Sequence, residues 1–259
     1  MTAMASPMKQ FRDSVRRVGL FRTFMKVLMR PTELARRKAA ARKIAALDSA
    51  EERFTWIYEN NYWQDEESVS GTGSTLRYTE NLRRELPGLF RRHGITSVFD
   101  APCGDYNWMR LVVAETGIRY VGADIVRPMV GRLNREHARE NVTFLHLDLM
   151  QGPFPRADLM ICRDCLFHLS YADGRKVLEN FLDSGTPHLL TTTHVSDGTL
   201  RNRDITTGGF RCIDLFSPPY CMPEDPLARI VDWVPPDPER IMCLWARAQV
   251  AAALGRSGG

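Results

Sequence analysis

The sequence lacks the segments that would place it in a membrane or a secretory pathway. It contains no window of about 18 uninterrupted apolar residues, so we expect no segment to span a bilayer. Its first thirty residues lack an apolar core followed by a small-residue cleavage site, so we expect no secretory signal. A content of 44% hydrophobic and 25% charged residues excludes fibrous, disordered and disulfide-scaffold proteins. The 259 residues therefore predict one large α/β domain, alone or with an appendage.

Cysteines are also few and poorly spaced for a metal site. The chain has six cysteines, and without a secretory signal we expect them to be reduced thiols in a cytoplasmic protein. Cys162 and Cys165 form one C-x-x-C pair, but no second pair follows at zinc-finger spacing. We therefore expect no metal ion.

Charge is distributed unevenly along the chain. Residues 1–50 contain 12 Lys and Arg against three acidic residues, a net charge of +9, whereas the remaining residues carry −5. Residues 10–30 alternate apolar and basic side chains at the spacing of a basic amphipathic helix. Such a helix can make peripheral contact with an anionic membrane, or pack on the protein or on a second subunit of a homo-oligomer. The acidic body argues against nucleic acid as a partner.

Helices are predicted to precede the main domain. Thr32 is the predicted N-cap of a second helix, and Ser49 with Glu52 forms a capping-box pattern for a third. We therefore predict an N-terminal helical extension over residues 1–60 and a main domain over residues 61–259.

From about residue 95 onward, strand-length apolar runs alternate with helical patterns. Strands buried on both faces with helices between them are typical of a parallel, doubly wound sheet. We predict an α/β fold of Rossmann-like type with a mostly parallel seven-stranded sheet. The alternation fails over residues 195–228, which are too long for a plain connection and are predicted to form a substrate insertion. The predicted strands are Ile95–Ala101, Tyr120–Ala123, Val142–Leu147, Asp158–Cys162, His188–Thr193, Arg229–Val234 and Ile241–Val250.

The loop after the first predicted strand lies where open α/β sheets bind nucleotides. A dinucleotide fingerprint needs three glycines there, but this loop has only Gly104, and Asp100 and Asp105 would repel phosphate. Twenty residues after Gly104, Asp124 ends the second strand, where a carboxylate can accept both ribose hydroxyls. Asp148 ends the third strand, where it could accept from an adenine amino group. The pattern favours a cationic adenosyl ligand without phosphates.

In this order along the chain, the loop Asp100-Ala101-Pro102-Cys103-Gly104-Asp105, Asp124, Asp148 and the segment from Asp158 to His168 resemble the motifs of class I S-adenosylmethionine-dependent methyltransferases. The resemblance covers about residues 95–250 and implies a methyltransferase with S-adenosylmethionine as cofactor. Two positions depart from the family: Pro102 stands where Gly is usual, and Tyr106 replaces the last Gly of the loop. The cofactor-binding residues expected on this resemblance are Asp100, Ala101, Gly104, Asp124, Ile125, Asp148, Leu149 and Arg163, with Trp63 and Ser74 as a predicted lid.

The chemistry of methyl transfer suggests which residues act on the acceptor. Transfer from a sulfonium needs little beyond in-line positioning in a dry pocket, but a hydroxyl acceptor also needs a general base. The candidate bases are His168 and Asp164, just past the fourth strand, and His194 at the end of the fifth. His168 is preferred, although a structural role for it stays open, and His146 is predicted to pack in the core.

The insertion is rich in hydrogen-bonding groups and could close over a polar acceptor. We expect the acceptor to be a hydroxyl of a polar small molecule or a saccharide, lipid-linked if the basic helix docks on a membrane. The predicted substrate-binding residues are Arg201, Asn202, Asp204, Arg211 and Tyr220.

Two alternatives remain open at this stage. Ser217-Pro218-Pro219-Tyr220 resembles the catalytic motif of amino-methylating DNA enzymes, in which the aromatic ring stacks on a flipped base. The motif lies about fifty residues beyond the fourth strand, so a Pro-rich turn is the preferred interpretation. An N-methyltransferase acting on nucleic acid or protein is the first alternative, and a non-catalytic scaffold that binds S-adenosylmethionine is the second.

Overall fold

The structure is a computed structural model and describes residues 35–256. Residues 35–46 and residues 47–256 belong to two separate compact units, and the first contains helical residues 35–45. The predicted basic helix at 10–30 and the N-cap at Thr32 lie outside the described residues. Within 35–256, no helix is both long enough and apolar enough to cross a membrane.

The larger unit contains a seven-stranded sheet in the order β3-β2-β1-β4-β5-β7-β6. The first five strands are parallel, whereas β7 runs antiparallel to β5 and β6 antiparallel to β7. The predicted doubly wound, mostly parallel sheet is therefore confirmed. The strands are β1 (Ser97–Asp100), β2 (Arg119–Asp124), β3 (Val142–His146), β4 (Leu159–Cys162), β5 (His188–His194), β6 (Ala228–Val231) and β7 (Arg240–Ala246).

Within residues 47–256, six helices accompany the sheet. The capping box predicted at the start of the first is confirmed: Ser49 Oγ accepts from the Glu52 amide at 3.1 Å, and Glu52 Oε2 accepts from the Ser49 amide at 3.1 Å. The helices are α1 (Ala50–Glu59), α2 (Glu80–Arg92), α3 (Met109–Thr116), α4 (Arg127–His137), α5 (Tyr171–Asp183) and α6 (Arg247–Ala253), with short 3-10 turns at Thr72–Ser74 and Leu166–His168.

The sheet separates two hydrophobic clusters. Alternate residues of each strand join opposite clusters, as Val98 and Phe99 do in β1, because successive side chains of a strand point to opposite faces. Helices α2, α3 and α4 cover the first cluster and helices α5 and α6 cover the second. Burial on both faces explains why the central strands read as continuous apolar runs in the sequence.

The end of the last predicted strand was wrong. We predicted a strand over Ile241–Val250, but β7 ends at Ala246 and helix α6 begins at Arg247. The residues after Ala246 are rich in alanine, the best helix former, and Gln249 accepts from the Ala246 amide at 2.9 Å to cap the first turn. Local helix propensity therefore ends the strand.

The parallel arrangement brings the carboxyl ends of β1 to β5 to one edge of the sheet. The stretch from 195 to 227 also begins at this edge and contains no helix or strand. Because ligands of open α/β sheets bind outside the carboxyl ends of the strands, this edge is the candidate site.

Candidate functional site

The loop after β1 is tightly constrained around one glycine. Gly104 has a φ of +55°, in the left-handed region that favours glycine, and a Cβ there would lie 2.5 Å from Ser70 Oγ, so a larger residue would strain the backbone and displace the Ser70 side chain. Tyr106 also has a positive φ, of 61°, and its ring packs in the core, with ring centroids 4.9 Å from Tyr120 and 5.0 Å from Phe144. Tyr106 therefore fills the core beneath this loop.

Two buried carboxylates end the first two strands. Asp100 accepts from the Tyr120 hydroxyl at 2.7 Å, and burial raises the pKa of Asp100 to about 7. Asp124 accepts from the amides of Gly104 at 3.1 Å and Val126 at 3.0 Å, and burial raises its pKa to about 6. Desolvation makes ionisation of both groups costly. A cation placed beside them would lower their pKa values, and the carboxylates that result would stabilise the cation.

The end of the third strand carries a more open carboxylate. Asp148 is half-buried and accepts from the Met150 amide at 2.9 Å, and Leu149 beside it is buried. Near them, His146 Nε2 lies 3.0 Å from the Ile125 carbonyl and 3.1 Å from Glu51 Oε1. The prediction that His146 packs in the core was wrong, because a quarter of its side chain is exposed and it contacts a carboxylate of α1.

The stretch from 67 to 74 is held against the loop after β1. Asp105 Oδ2 accepts from Ser68 Oγ at 2.8 Å and from the Val69 amide at 3.0 Å. Asn107 Nδ2 donates to the carbonyl of Ser74 at 3.1 Å. The predicted lid residue Ser74 thus lies beside the cofactor loop, and its backbone makes that contact.

A buried ion network lies beyond β4. Arg163 donates to both carboxylate oxygens of Asp232, at 2.8 and 2.9 Å, and to the Gly73 carbonyl at 2.7 Å. Asp164 Oδ2 lies 2.9 Å from Arg240 Nη2 and 3.4 Å from Arg163 Nη1. Burial alone would raise the pKa of Asp164, but the two guanidinium groups lower it below its ordinary value. Asp164 is therefore a poor proton acceptor, and the Arg163 guanidinium is committed to partners within the protein.

His168 has the tautomer that a general base needs. Its Nδ1 lies 2.7 Å from the Gly209 carbonyl, which can only accept, so Nδ1 carries the proton and Nε2 keeps its lone pair. Burial lowers the pKa of His168 below its ordinary value, against the opposing effect of Asp164. The ring is therefore neutral at pH 7 and can accept a proton at Nε2.

His194 has the opposite tautomer. The Ile213 amide donates to its Nδ1 at 3.2 Å, so Nδ1 is the acceptor and Nε2 carries the proton. Burial lowers the pKa of His194 to about 4, and its ring lies behind Phe167, with centroids 5.4 Å apart. Among the three candidate bases, the geometry favours His168.

Most of the substrate-binding groups predicted in the insertion form hydrogen bonds or pack within the protein itself. Asn202 pairs with the backbone of Asp214, at 2.8 and 2.9 Å, and Asp204 accepts from the Tyr171 amide at 2.8 Å. Arg211 is 1% exposed and donates to the Leu169 carbonyl. Two further residues differ: Tyr220 is 2% exposed and packs on Tyr171, which leaves no ring face for a flipped base, whereas Arg201 is exposed.

Three residues of this edge were not predicted. Asp232 and Arg240 complete the ion network from positions about seventy residues beyond Arg163, and no sequence motif connects them. Phe210 is 55% exposed, and its ring centroid lies 5.8 Å from that of His168. An aromatic residue directly after two glycines in a polar stretch was a signal that could have identified Phe210.

Metal ligands are not grouped in the described part of the chain. Within residues 35–256, no cluster of three or more His, Cys, Asp or Glu could hold a metal ion. All six cysteines are free, including Cys162 and Cys165, which are buried.

Comparisons with known proteins agree with this geometry. Residues 98–187 match a family model described as a methyltransferase domain. No curated protein sequence matches the chain. The match spans β1 to α5 and therefore includes the three strand-end carboxylates and His168.

Three solved structures share the fold. One is the 1,6-didemethyltoxoflavin-N1-methyltransferase of Burkholderia thailandensis, bound to 1,6-didemethyltoxoflavin and S-adenosylhomocysteine, with 18% identity, a TM-score of 0.54 and coverage of 76% of this chain and 86% of that one. Another is magnesium protoporphyrin IX methyltransferase of Synechocystis PCC 6803 with bound S-adenosylmethionine, with 14% identity, a TM-score of 0.54 and coverage of 78% and 99%. The third is an S-adenosylmethionine-dependent methyltransferase of Leishmania major, with 15% identity, a TM-score of 0.56 and coverage of 76% and 86%. At these identities the likeness concerns the fold.

Proposed function

We propose that the chain, whose residues 98–187 match a methyltransferase domain, transfers a methyl group from S-adenosylmethionine to a hydroxyl of a small molecule, with His168 as general base. The observation that carries the choice of a hydroxyl is the tautomer of His168. A neutral amine can attack a methyl group without losing a proton first, whereas a hydroxyl needs a nearby acceptor for its proton. The Nε2 lone pair of His168 supplies that acceptor.

The residues at the ends of β1 to β3 fit this cofactor. Each carboxylate oxygen of Asp124 accepts one amide hydrogen, which leaves capacity for the two ribose hydroxyls. Asp148 is open enough to accept from an adenine amino group, with Ile125 and Leu149 beside the base. Ala101 and Gly104 give the methionine part a narrow backbone approach, and Asp100 would contribute negative charge once the cationic sulfur lowers its pKa. The polar groups at these strand ends are carboxyl groups, and the loop lacks the glycine-rich backbone amides that a dinucleotide requires.

The methyl group, the electron pair and the proton each have a defined destination in the proposed transfer step. When bound, the cofactor supplies a methyl group on a cationic sulfur, which leaves with the carbon–sulfur electron pair. The acceptor oxygen forms the new bond to the methyl carbon, and its proton passes to Nε2 of His168. The hydrogen bond from Nδ1 to the Gly209 carbonyl holds the ring in place and stabilises the imidazolium that results. General-base catalysis of this kind contributes about 10²- to 10⁴-fold to the rate.

The acceptor we propose is the one expected from the sequence, a polar small molecule or a saccharide. The name of one neighbour includes N-methylation, so the fold alone does not select oxygen over nitrogen. Arg201 is exposed, and although its Nη1 donates to the Gly198 and Leu200 carbonyls, at 2.6 and 3.2 Å, its other guanidinium nitrogens could approach a polar acceptor. Asn202, Asp204 and Arg211 would act on the acceptor indirectly, by shaping the loop that presents Gly209 and Phe210.

Labelled methyl transfer tests this proposal. The purified full chain is incubated with tritiated S-adenosylmethionine and a fractionated cell extract, and each class of molecule is counted. We expect label in a small-molecule or saccharide fraction as an acid- and base-stable methyl ether. Label in nucleic acid or protein would support the N-methyltransferase alternative. Cofactor binding without label in any fraction would support a non-catalytic scaffold.

Residues 10–30 lead to a second proposal, on location. Their basic amphipathic pattern supports a cytoplasmic protein that docks peripherally on an anionic membrane, close to a lipid-linked acceptor. Vesicle flotation at two salt concentrations compares the full chain with a deletion of residues 1–30. We expect the full chain alone to float at low salt. If neither floats, gel filtration then tests whether the same segment instead supports a homo-oligomer.

A further inference from the structure

The surroundings of His168 are aromatic on two sides. The ring centroid of Trp63 lies 6.1 Å from that of His168, and the ring of Phe210 lies 5.8 Å away on the insertion. Phe210 is 55% exposed and Trp63 is half-buried. We call Trp63 and Phe210 the aromatic wall.

Both members of the aromatic wall are held in position by the backbone. A Cβ at Gly71, where φ is +91°, would lie 3.1 Å from Trp63 Cβ, so the chain passes against the tryptophan there. Phe210 directly follows Gly209, whose carbonyl holds His168 Nδ1 at 2.7 Å. The contact that orients the base therefore also places the phenyl ring beside it.

The nearby polar groups are largely unavailable to an acceptor. Asp164 is paired with two arginines, Asn202 pairs with the backbone of the insertion, and the buried Arg211 donates to the carbonyls of Leu166 and Leu169. The exposed phenylalanine leaves apolar ring surface in water, which a bound ring would cover. The recognition chemistry that remains next to Nε2 of His168 is thus mostly flat and apolar.

We propose that the aromatic wall binds a cyclic acceptor through one flat face of its ring and turns an adjacent hydroxyl toward Nε2 of His168. The inference rests on the proposed function and specifies its substrate class. The apolar C–H face of a pyranose and the face of a hydroxyarene both satisfy this chemistry, because either can lie against an aromatic ring. An acyclic polyol has no such face and loses more conformational freedom on binding.

The two sources of a ring differ in what they ask of the base. A phenolic hydroxyl has a pKa of about 10, which lies much closer to the pKa of histidine than the pKa of an aliphatic hydroxyl does. Burial lowers the pKa of His168 and so makes the imidazole a weaker base. A weaker base accepts a proton more easily from the more acidic hydroxyarene than from a pyranose. The hydroxyarene is therefore the better fit of the two.

Ligand-observed NMR on the full chain with bound S-adenosylhomocysteine tests the proposal without turnover. The probes are catechol, methyl α-glucopyranoside and sorbitol. We expect at least one cyclic probe to bind, sorbitol not to bind, and Phe210→Ala and Trp63→Ala each to weaken the cyclic probe about tenfold or more. Leu227→Ala, which also truncates an exposed apolar side chain, should leave binding unchanged, and Phe210→Tyr should retain it.

Each outcome has a distinct meaning. Binding of catechol alone identifies the hydroxyarene, and binding of the pyranoside alone identifies the saccharide. Equal binding of sorbitol, no binding of either ring, or unchanged affinity in Phe210→Ala and in Trp63→Leu would overturn the aromatic wall. Trp63→Leu, which keeps an apolar side chain without a flat ring, covers the case in which Trp63→Ala fails to fold. Label transfer by the wild-type chain to an extract would, in that event, leave the proposed methyltransferase function standing.

Discussion

The two halves of the sheet edge handle charge in opposite ways. At the ends of β1 and β2, Asp100 and Asp124 are buried and form no ion pair within residues 35–256, and burial raises the pKa values of both against the weaker opposing effects of Arg163 and His146. Beyond β4, Asp164 and Asp232 are buried against Arg163 and Arg240. The first half holds carboxyl groups that ionise fully only beside a cation, whereas the second neutralises its charges within the protein and has one uncharged imidazole next to them. We infer that cofactor binding and acceptor chemistry occupy separate halves.

The largest effect should come from removing the base. His168→Ala should lower turnover about 10²- to 10⁴-fold, because the acceptor hydroxyl loses its proton acceptor. The affinity for S-adenosylhomocysteine, measured by calorimetry, should stay unchanged, because His168 belongs to the acceptor half. Normal turnover would transfer the role to another residue and break the proposed division.

The pH dependence of turnover sharpens the same point. The neutral form of His168 is the active base, and its pKa lies below the ordinary value of 6.5. Turnover should therefore persist below pH 6.5 and fall only as the imidazole becomes protonated at lower pH. If turnover already falls when the pH is lowered toward 7 from above, that result would contradict a neutral, buried His168 imidazole.

The next effect concerns the paired charges beyond β4. Asp232→Ala removes the bidentate partner of Arg163 and leaves a buried guanidinium short of compensation. We expect the free energy of unfolding to fall by about 3–5 kcal/mol in urea denaturation. Asp237→Ala, an exposed carboxylate on the same connection, should have little effect. Equal stability of the two variants would show that the network is not tightly coupled.

A smaller effect is expected in the cofactor half. Asp124→Ala should weaken the binding of S-adenosylmethionine about 10- to 150-fold, the value of one hydrogen bond to a charged group, and leave turnover at saturating cofactor near normal. Asp124→Asn keeps the volume and should give an intermediate loss. The exposed Asp197→Ala serves as the control. Unchanged affinity in Asp124→Ala would remove the ribose assignment.

The smallest change per step of the experiment is the slope of stability against pH. Folding raises the pKa of Asp100 from 3.8 to about 7, so the folded state holds this proton over a window in which the unfolded state has lost it. Stability should therefore fall as pH rises from about 4 to 7, with a slope of up to about 1.4 kcal/mol per pH unit from this group. Asp100→Asn, which still accepts from Tyr120, should reduce the slope. An unchanged slope would contradict the buried, protonated carboxyl.

The cofactor half was largely predictable from the sequence, because its logic is local. Apolar runs identify the strands, each run ends in its own acid, and parallel topology brings Asp100, Asp124 and Asp148 to one edge. The acceptor half was not predictable in the same way. Arg163 meets Asp232 only after the chain has crossed the whole insertion, and the tautomers of His168 and His194 depend on backbone groups of Gly209 and Ile213 that no spacing rule connects to them.

Calorimetric titration of the full chain with S-adenosylmethionine and with NAD⁺ tests the central claim most directly. The uncompensated carboxylates of the cofactor half should bind the cationic nucleoside and reject the dinucleotide, whose phosphates meet no cluster of glycine amides. Saturable binding of S-adenosylmethionine without binding of NAD⁺ is the predicted result. Binding of NAD⁺, or no binding of S-adenosylmethionine, would contradict the account.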